Sequence, residues 1–153
     1  MVIPSDRQVG ARDGNVVLDL FVLQQRIGEL MELALAGTGV RPAEYAVYSQ
    51  LGIAAMTPRE LGARLGVTPS TLTGHLAALE RRGHARRTPN PDDGRSARLE
   101  LTAEGRTTLA AGRLGFRRML RALEVELPLP NAEVRAVLQE VDAAAARTVA
   151  ALA

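Results

Sequence analysis

Ser70, Thr71, Thr73 and His75 fall within two helical turns, and Arg86, Arg87, Arg95 and Arg98 follow soon after. Hydroxyls donate and accept, an imidazole can donate, and a guanidinium presents a planar fork of donors. Together they suit phosphate oxygens and the edges of bases. They do not suit catalysis or metal binding. The chain has 0 cysteines and 2 histidines, His75 and His84. It has no glycine-rich phosphate loop, and its few serines have no base at a motif spacing. No enzyme activity, metal or cofactor is expected.

The elements that must position these groups are written between Thr57 and Arg106. Thr57 is a natural N-cap, Pro58 suits the first helical position, and Glu60 completes a capping box. Leu61 and Leu65 mark the buried face of this first helix, and Gly66 stops it. The start signal repeats at Thr68 and Pro69. Leu72, Leu76 and Leu79 then form one apolar stripe, and Gly83 ends the second helix. Two short helices joined by a Gly-containing turn match the helix-turn-helix unit. Arg86-Arg87-Thr88 and Arg98-Leu99-Glu100-Leu101 read as short strands. Between them Pro89-Asn90-Pro91-Asp92-Asp93-Gly94 is dense in turn formers, so the pair predicts a basic hairpin, or wing.

In this order the segment resembles the winged-helix region of the multiple-antibiotic-resistance regulator (MarR) family. The resemblance rests on Leu79-Glu80-x-x-Gly83, on Asp93-Gly94-Arg95-Ser96 at the wing tip, and on Leu101-Thr102-x-x-Gly105 after it. It implies a mainly α fold with a small β wing: a winged helix-turn-helix lobe, with long N- and C-terminal helices forming a dimerisation layer. It also implies a dimeric transcriptional repressor of double-stranded DNA, released by a small-molecule effector that sits between the dimer helices and the DNA lobe. The alternative is a winged-helix module that binds protein and has lost DNA; the arginines of the wing argue against it.

The second helix would enter the major groove by its N-terminal end, presenting Pro69, Ser70, Thr71, Thr73, Gly74 and His75. His75 has a blander reading as an ordinary exposed helix residue. Many relatives carry Arg where Gly74 stands, and a basic or polar residue where Ala78 stands. Gly74 either admits close approach of DNA or marks poorer base readout. Arg95, on a narrow tip, suits the minor groove, where A·T tracts concentrate negative potential. Asp93 would orient it by a charge-assisted hydrogen bond. The alternative is a surface ion pair of little consequence. Arg86, Arg87 and Arg98 would hold phosphates.

The 153 residues suit a single domain, expected over 15–153 after a disordered stretch 1–14. Helices within 15–40 and 103–153 would form the dimer layer, and 41–102 the DNA lobe. Net charge is only +2 and every basic residue is Arg, but the charge is unevenly placed. Between Arg81 and Arg98 six arginines face two aspartates, the footprint of a phosphate reader. With 3% aromatics, burial must come from Leu, Val and Ala. Absent cysteine excludes a thiolate redox switch. No signal peptide or membrane-length apolar run is read, so a cytoplasmic location is expected.

Outside the middle segment, Val16, Leu20, Leu23, Ile27, Leu30 and Ala34 mark a long first helix with a broad apolar face. A second should open at Arg41-Pro42 and run to about Ala54. Ala54-Ala55-Met56 could pair beside the wing as a third strand. Thr102 should cap a helix to about Leu127, and Pro128-Leu129-Pro130 must break it. Asn131 is expected to cap the last helix. The apolar stripes of these terminal helices either pack within one protomer or form the two-fold interface that half-site reading requires. Tyr45 and Tyr48 could approach the effector crevice, although their helical spacing favours core packing.

Overall fold

A computed structural model describes residues 9–10, 12–91 and 93–153. The expected disordered stretch 1–14 therefore lies mostly outside the described residues, as does Asp92 of the wing loop.

Helix α1 (Val16–Leu35) begins where Asn15 accepts the backbone N–H groups of Val17 and Leu18, at 3.0 and 3.2 Å. This cap satisfies two of the orphan donors of the first turn. Of its twenty residues only Ala34 and Leu35 are buried, while Leu18, Phe21, Leu23, Ile27 and Leu33 are exposed. Helix α2 (Pro42–Leu51) stops at Gly52, three residues short of the expected Ala54. Glycine fits there because a Cβ at Gly52 would collide with the Leu109 side chain.

The helix-turn-helix forms as the local signals dictate. In α3 (Pro58–Leu65) the Thr57 hydroxyl accepts the Glu60 N–H at 3.2 Å, and the Glu60 carboxylate accepts the Thr57 N–H at 2.7 Å. Gly66 closes the helix at φ 63°, a left-handed conformation that glycine adopts without a Cβ clash. Helix α4 (Pro69–Arg81) follows. Its stripe of Leu72, Leu76 and Leu79 is 3%, 3% and 0% exposed, each side chain worth about 1.5–3 kcal/mol of burial. These leucines join Val47, Tyr48 and Leu51 of α2, Leu61 of α3, and Leu99 and Leu101 of the wing in one core.

Strands β1 (Ala85–Pro89) and β2 (Ala97–Leu101) pair antiparallel, with Arg86 opposite Glu100 and Arg87 opposite Leu99. The expected third strand is reduced to one bridge. Met56 and Leu99 exchange N–H···O bonds of 3.0 and 2.8 Å. Helix α5 (Ala103–Glu126) opens on Thr102, whose hydroxyl accepts the Gly105 N–H at 3.2 Å and donates to the Gly83 carbonyl at 2.7 Å.

Residues up to Phe116 form one compact unit and Arg117–Ala153 a second. The second holds the end of α5 and α6 (Asn131–Leu152), in which no residue is buried. Here Asn131 corrects the sequence expectation. Pro130 occupies the capping position in an extended conformation, so Asn131 is already helical. Its side-chain N–H donates instead to Glu124 at 2.7 Å, tying the start of α6 to the end of α5.

Candidate nucleic-acid interface

The N-terminal half of α4 is turned outward. Pro69, Ser70, Thr71, Thr73 and Gly74 are exposed and His75 is half-buried, while the leucine stripe holds the opposite face in the core. The hydroxyls are already ordered. Thr68 Oγ1 accepts the Thr71 N–H at 3.3 Å and lies 2.9 Å from Thr71 Oγ1 and 3.1 Å from Ser70 Oγ. Thr73 donates its hydroxyl proton to the Pro69 carbonyl at 2.8 Å, which leaves its oxygen able to accept. A Cβ at Gly74 would meet nothing within 4 Å, so packing inside the protein does not require glycine there. Ala78 is buried, and belongs to the core rather than to the exposed face.

The wing is shaped by its own polar atoms. Asn90 donates its side-chain N–H to Ser96 Oγ at 2.8 Å, and its backbone N–H to the Ser96 carbonyl at 3.2 Å. Ser96 returns its N–H to the Asp93 carbonyl at 3.0 Å. The Asp93 carboxylate accepts the backbone N–H of Arg95 at 3.0 Å, closing an Asx turn. Asp93 thus reaches Arg95 through the main chain, whereas the sequence pointed to its guanidinium. Arg95 itself is exposed at the tip.

The strand arginines have carboxylate partners. Arg87 donates through Nε and Nη2 to the two oxygens of Glu80, at 2.7 and 3.4 Å. Across the ladder, Arg86 is 2.6 Å from Glu100. Arg98 is half-buried and its charge acts on Glu60. Hydrogen bonds from the Thr57 backbone and hydroxyl hold the Glu60 carboxyl below its ordinary range, with Arg98 and Arg64 adding to that. Among the described residues no group of His, Asp or Glu could hold a metal ion, and no helix is long and apolar enough to cross a membrane.

The segment that carries this outward polar helix end and arginine-bearing wing is the one that matches a known family. The model of the MarR family matches residues 38–96, from just before α2 to the wing tip. Over that stretch the chain is similar to the MarR family. It is 34% identical over 95 residues to the HTH-type transcriptional repressor YetL of Bacillus subtilis (strain 168). That match takes in 60% of this chain and 57% of YetL, so it spans little more than half the relative's length. The solved structure of the transcriptional repressor CouR, bound to a 23-mer DNA duplex, is 28% identical with a TM-score of 0.77. It covers 93% of this chain and 99% of CouR. The PcaV transcriptional regulator of Streptomyces coelicolor, in complex with its natural ligand, is 26% identical with a TM-score of 0.72, covering 88% and 94% of the two chains.

Sequence reasoning singled out the outward-facing groups and missed most of their partners. Thr68, Glu80, Glu100, Asn90 and Ser96 each organise a predicted site residue. Thr68 carried a signal as a cap, and Glu80, Asn90 and Ser96 stood in the motifs, but no signal pointed to the contacts they make. Tyr45 and Tyr48 do pack inward: Tyr48 is fully buried and the Tyr45 ring lies 4.8 Å from that of Phe116.

Proposed function

We propose that this chain is a sequence-specific DNA-binding transcriptional regulator that acts as a dimeric repressor and is released by a small-molecule effector. The observation that carries the proposal is the outward polar half of α4, beside a wing tipped by Arg95, on one compact unit. Pro69, Ser70, Thr71, Thr73, Gly74 and His75 meet the major groove, and Arg95 the adjacent minor groove. Arg86, Arg87 and Arg98 engage phosphates, and Asp93 sets the tip.

Dimerisation is supported by apolar residues that one copy leaves exposed, such as Leu18, Phe21 and Ile27 on α1 and Val137, Leu138 and Val149 on α6. Large apolar side chains left exposed on a helix are candidates for burial in an interface. A two-fold pair would bring two copies of α4 to successive major grooves of a pseudo-palindromic operator. DNA bound to CouR and ligand bound to PcaV support the two halves of the regulatory reading.

The test is a titration of duplex DNA at several salt concentrations. Affinity should fall steeply as salt rises, because each phosphate contact releases counterions. An affinity independent of salt, or no affinity, removes the DNA-binding reading and leaves a protein-interaction module.

A further inference from the structure

Glu44 is a buried carboxylate, 7% exposed, on the first turn of α2. It accepts two hydrogen bonds from Arg82, the C-cap of α4: Nη1 to Oε2 at 2.9 Å and Nη2 to Oε1 at 3.3 Å. It also accepts the backbone N–H of Arg41 at 3.2 Å. One turn along α2, the fully buried Tyr48 hydroxyl is hydrogen-bonded to Nδ1 of His84 at 2.7 Å, and the two rings stand edge to face. The His84 backbone closes the circuit. Its N–H donates to Leu79 in α4 at 2.9 Å, and its carbonyl accepts the Thr102 N–H at the mouth of α5 at 3.0 Å.

We propose that Glu44, Tyr48, Arg82 and His84 form a polar latch that fixes the tilt of the recognition helix. They would then be positioning residues for half-site spacing, although none of them belongs to the DNA-facing set. This rests on the DNA-binding reading above.

A lever argument carries it. At about 1.5 Å per residue, the thirteen residues of α4 span about 20 Å. The latch grips the C-terminal end and the base-facing residues lie at the other. A tilt of about 5° at the grip would carry the far end by close to 2 Å, enough to break base hydrogen bonds. In a two-fold dimer both helices move, so the separation of half-site contacts shifts by up to about 3–4 Å, the rise of one base pair.

The chemistry suits positioning better than bulk stabilisation. A half-buried ion pair gives little net stability, because desolvation offsets attraction, while two-point geometry fixes direction. Burial pushes the Glu44 carboxyl up, yet the hydrogen bonds of Arg82 and Arg41, with their charges, leave it below its ordinary value. The pair is therefore ionised at neutral pH. The adjacent face of α2 is also held. Tyr45 packs on Phe116, and a Cβ at Gly112 would strike the Tyr45 ring, so α2 sits as a brace between α5 and the latch.

The experiment compares the parent with Glu44→Gln, Arg82→Met, Arg82→Lys and Tyr48→Phe. Each binds a selected operator and versions with one base pair added or removed between half-sites. Amide hydrogen exchange is followed at Arg82, Gly83 and His84. The parent should disfavour the altered spacings by about tenfold or more. Glu44→Gln and Arg82→Met should reduce this preference to about threefold or less, with Arg82→Lys between and the salt dependence unchanged. A folding defect alone would weaken all spacings together. A folded Glu44→Gln or Tyr48→Phe protein that keeps the full preference overturns the latch. If the parent binds no duplex, the DNA-binding reading fails by itself and exchange decides: faster exchange at those three amides than in the α2–α3 core upholds the latch, and unchanged exchange overturns it.

Discussion

Arg87 in the first wing strand and Glu80 in the last turn of α4 are paired side by side, with Nε–Oε1 at 2.7 Å and Nη2–Oε2 at 3.4 Å. The pair ties wing to helix and offsets one of the charges that would meet phosphate. Both side chains are partly exposed, so its stability is worth no more than about 1 kcal/mol. Its larger effect is electrostatic. Glu80→Gln should raise affinity for any duplex a few-fold and steepen the salt dependence by about one unit of slope. Arg87→Ala should weaken all sequences about equally and flatten it. Fluorescence anisotropy at three or more salt concentrations reads both, and an unchanged slope in both variants would take Arg87 out of the phosphate-contacting set.

How far the chain could be read in advance follows from the range of each signal. Thr57, Pro58, Glu60, Thr68, Pro69 and Gly66 act on backbone groups within four residues, so the helix-turn-helix is written locally. The wing loop was legible because Pro91 and Gly94 are turn formers, whereas Pro89, read as part of the loop, is the last residue of β1 and pairs with Ala97. Partners were not. Arg82 meets Glu44 38 residues away, and Tyr48 meets His84 36 residues away. No spacing rule points from one to the other. With nineteen arginines and seventeen acids in the chain, composition leaves the pairing undetermined. Asn131 misled for a different reason: Pro130 can also begin a helix, and it displaced the polar residue from the cap.

Gly74 separates two readings. It is exposed in mid-helix with open space where a Cβ would stand. Gly74→Ala should therefore raise stability by about 1 kcal/mol, measured by urea unfolding. If glycine is there to admit the DNA backbone or a base, the same variant should bind its operator about tenfold more weakly, or about 1.4 kcal/mol. Unchanged or tighter binding would show that the gap serves no contact.

Acid should loosen the α2–α4 junction. The folded-state value of Glu44 is depressed below the ordinary 4.5. Its contribution is therefore fully present above that value and is lost as pH falls through the folded value. At neutral pH Glu44→Gln should cost about 1 kcal/mol, since the pair is partly solvated. The difference in Tm between parent and variant should be largest at pH 6–7 and shrink towards pH 3. A constant difference across that range would mean that the Glu44 charge contributes nothing.

Arg95 should report groove shape. Its guanidinium stands on an exposed tip whose backbone is fixed by Asp93, Asn90 and Ser96. Arg95→Ala should lose about 1–3 kcal/mol per wing on operators with A·T-rich flanks and less with G·C-rich flanks. Paired operators differing only in the flanks test this. Equal affinity of parent and variant on both would remove the wing as a reader.

Selection of bound duplexes from a random library, followed by sequencing and by the protein-to-DNA ratio of the winning complex, addresses the central claim most directly. Two copies of α4 brought together by the exposed faces of α1 and α6 should enrich an inverted repeat. Its half-site centres should lie about 10 bp apart, with two chains of 16.3 kDa on each duplex. Failure to enrich any sequence, or enrichment of a single unrepeated site bound by one chain, would contradict the account of a dimeric reader.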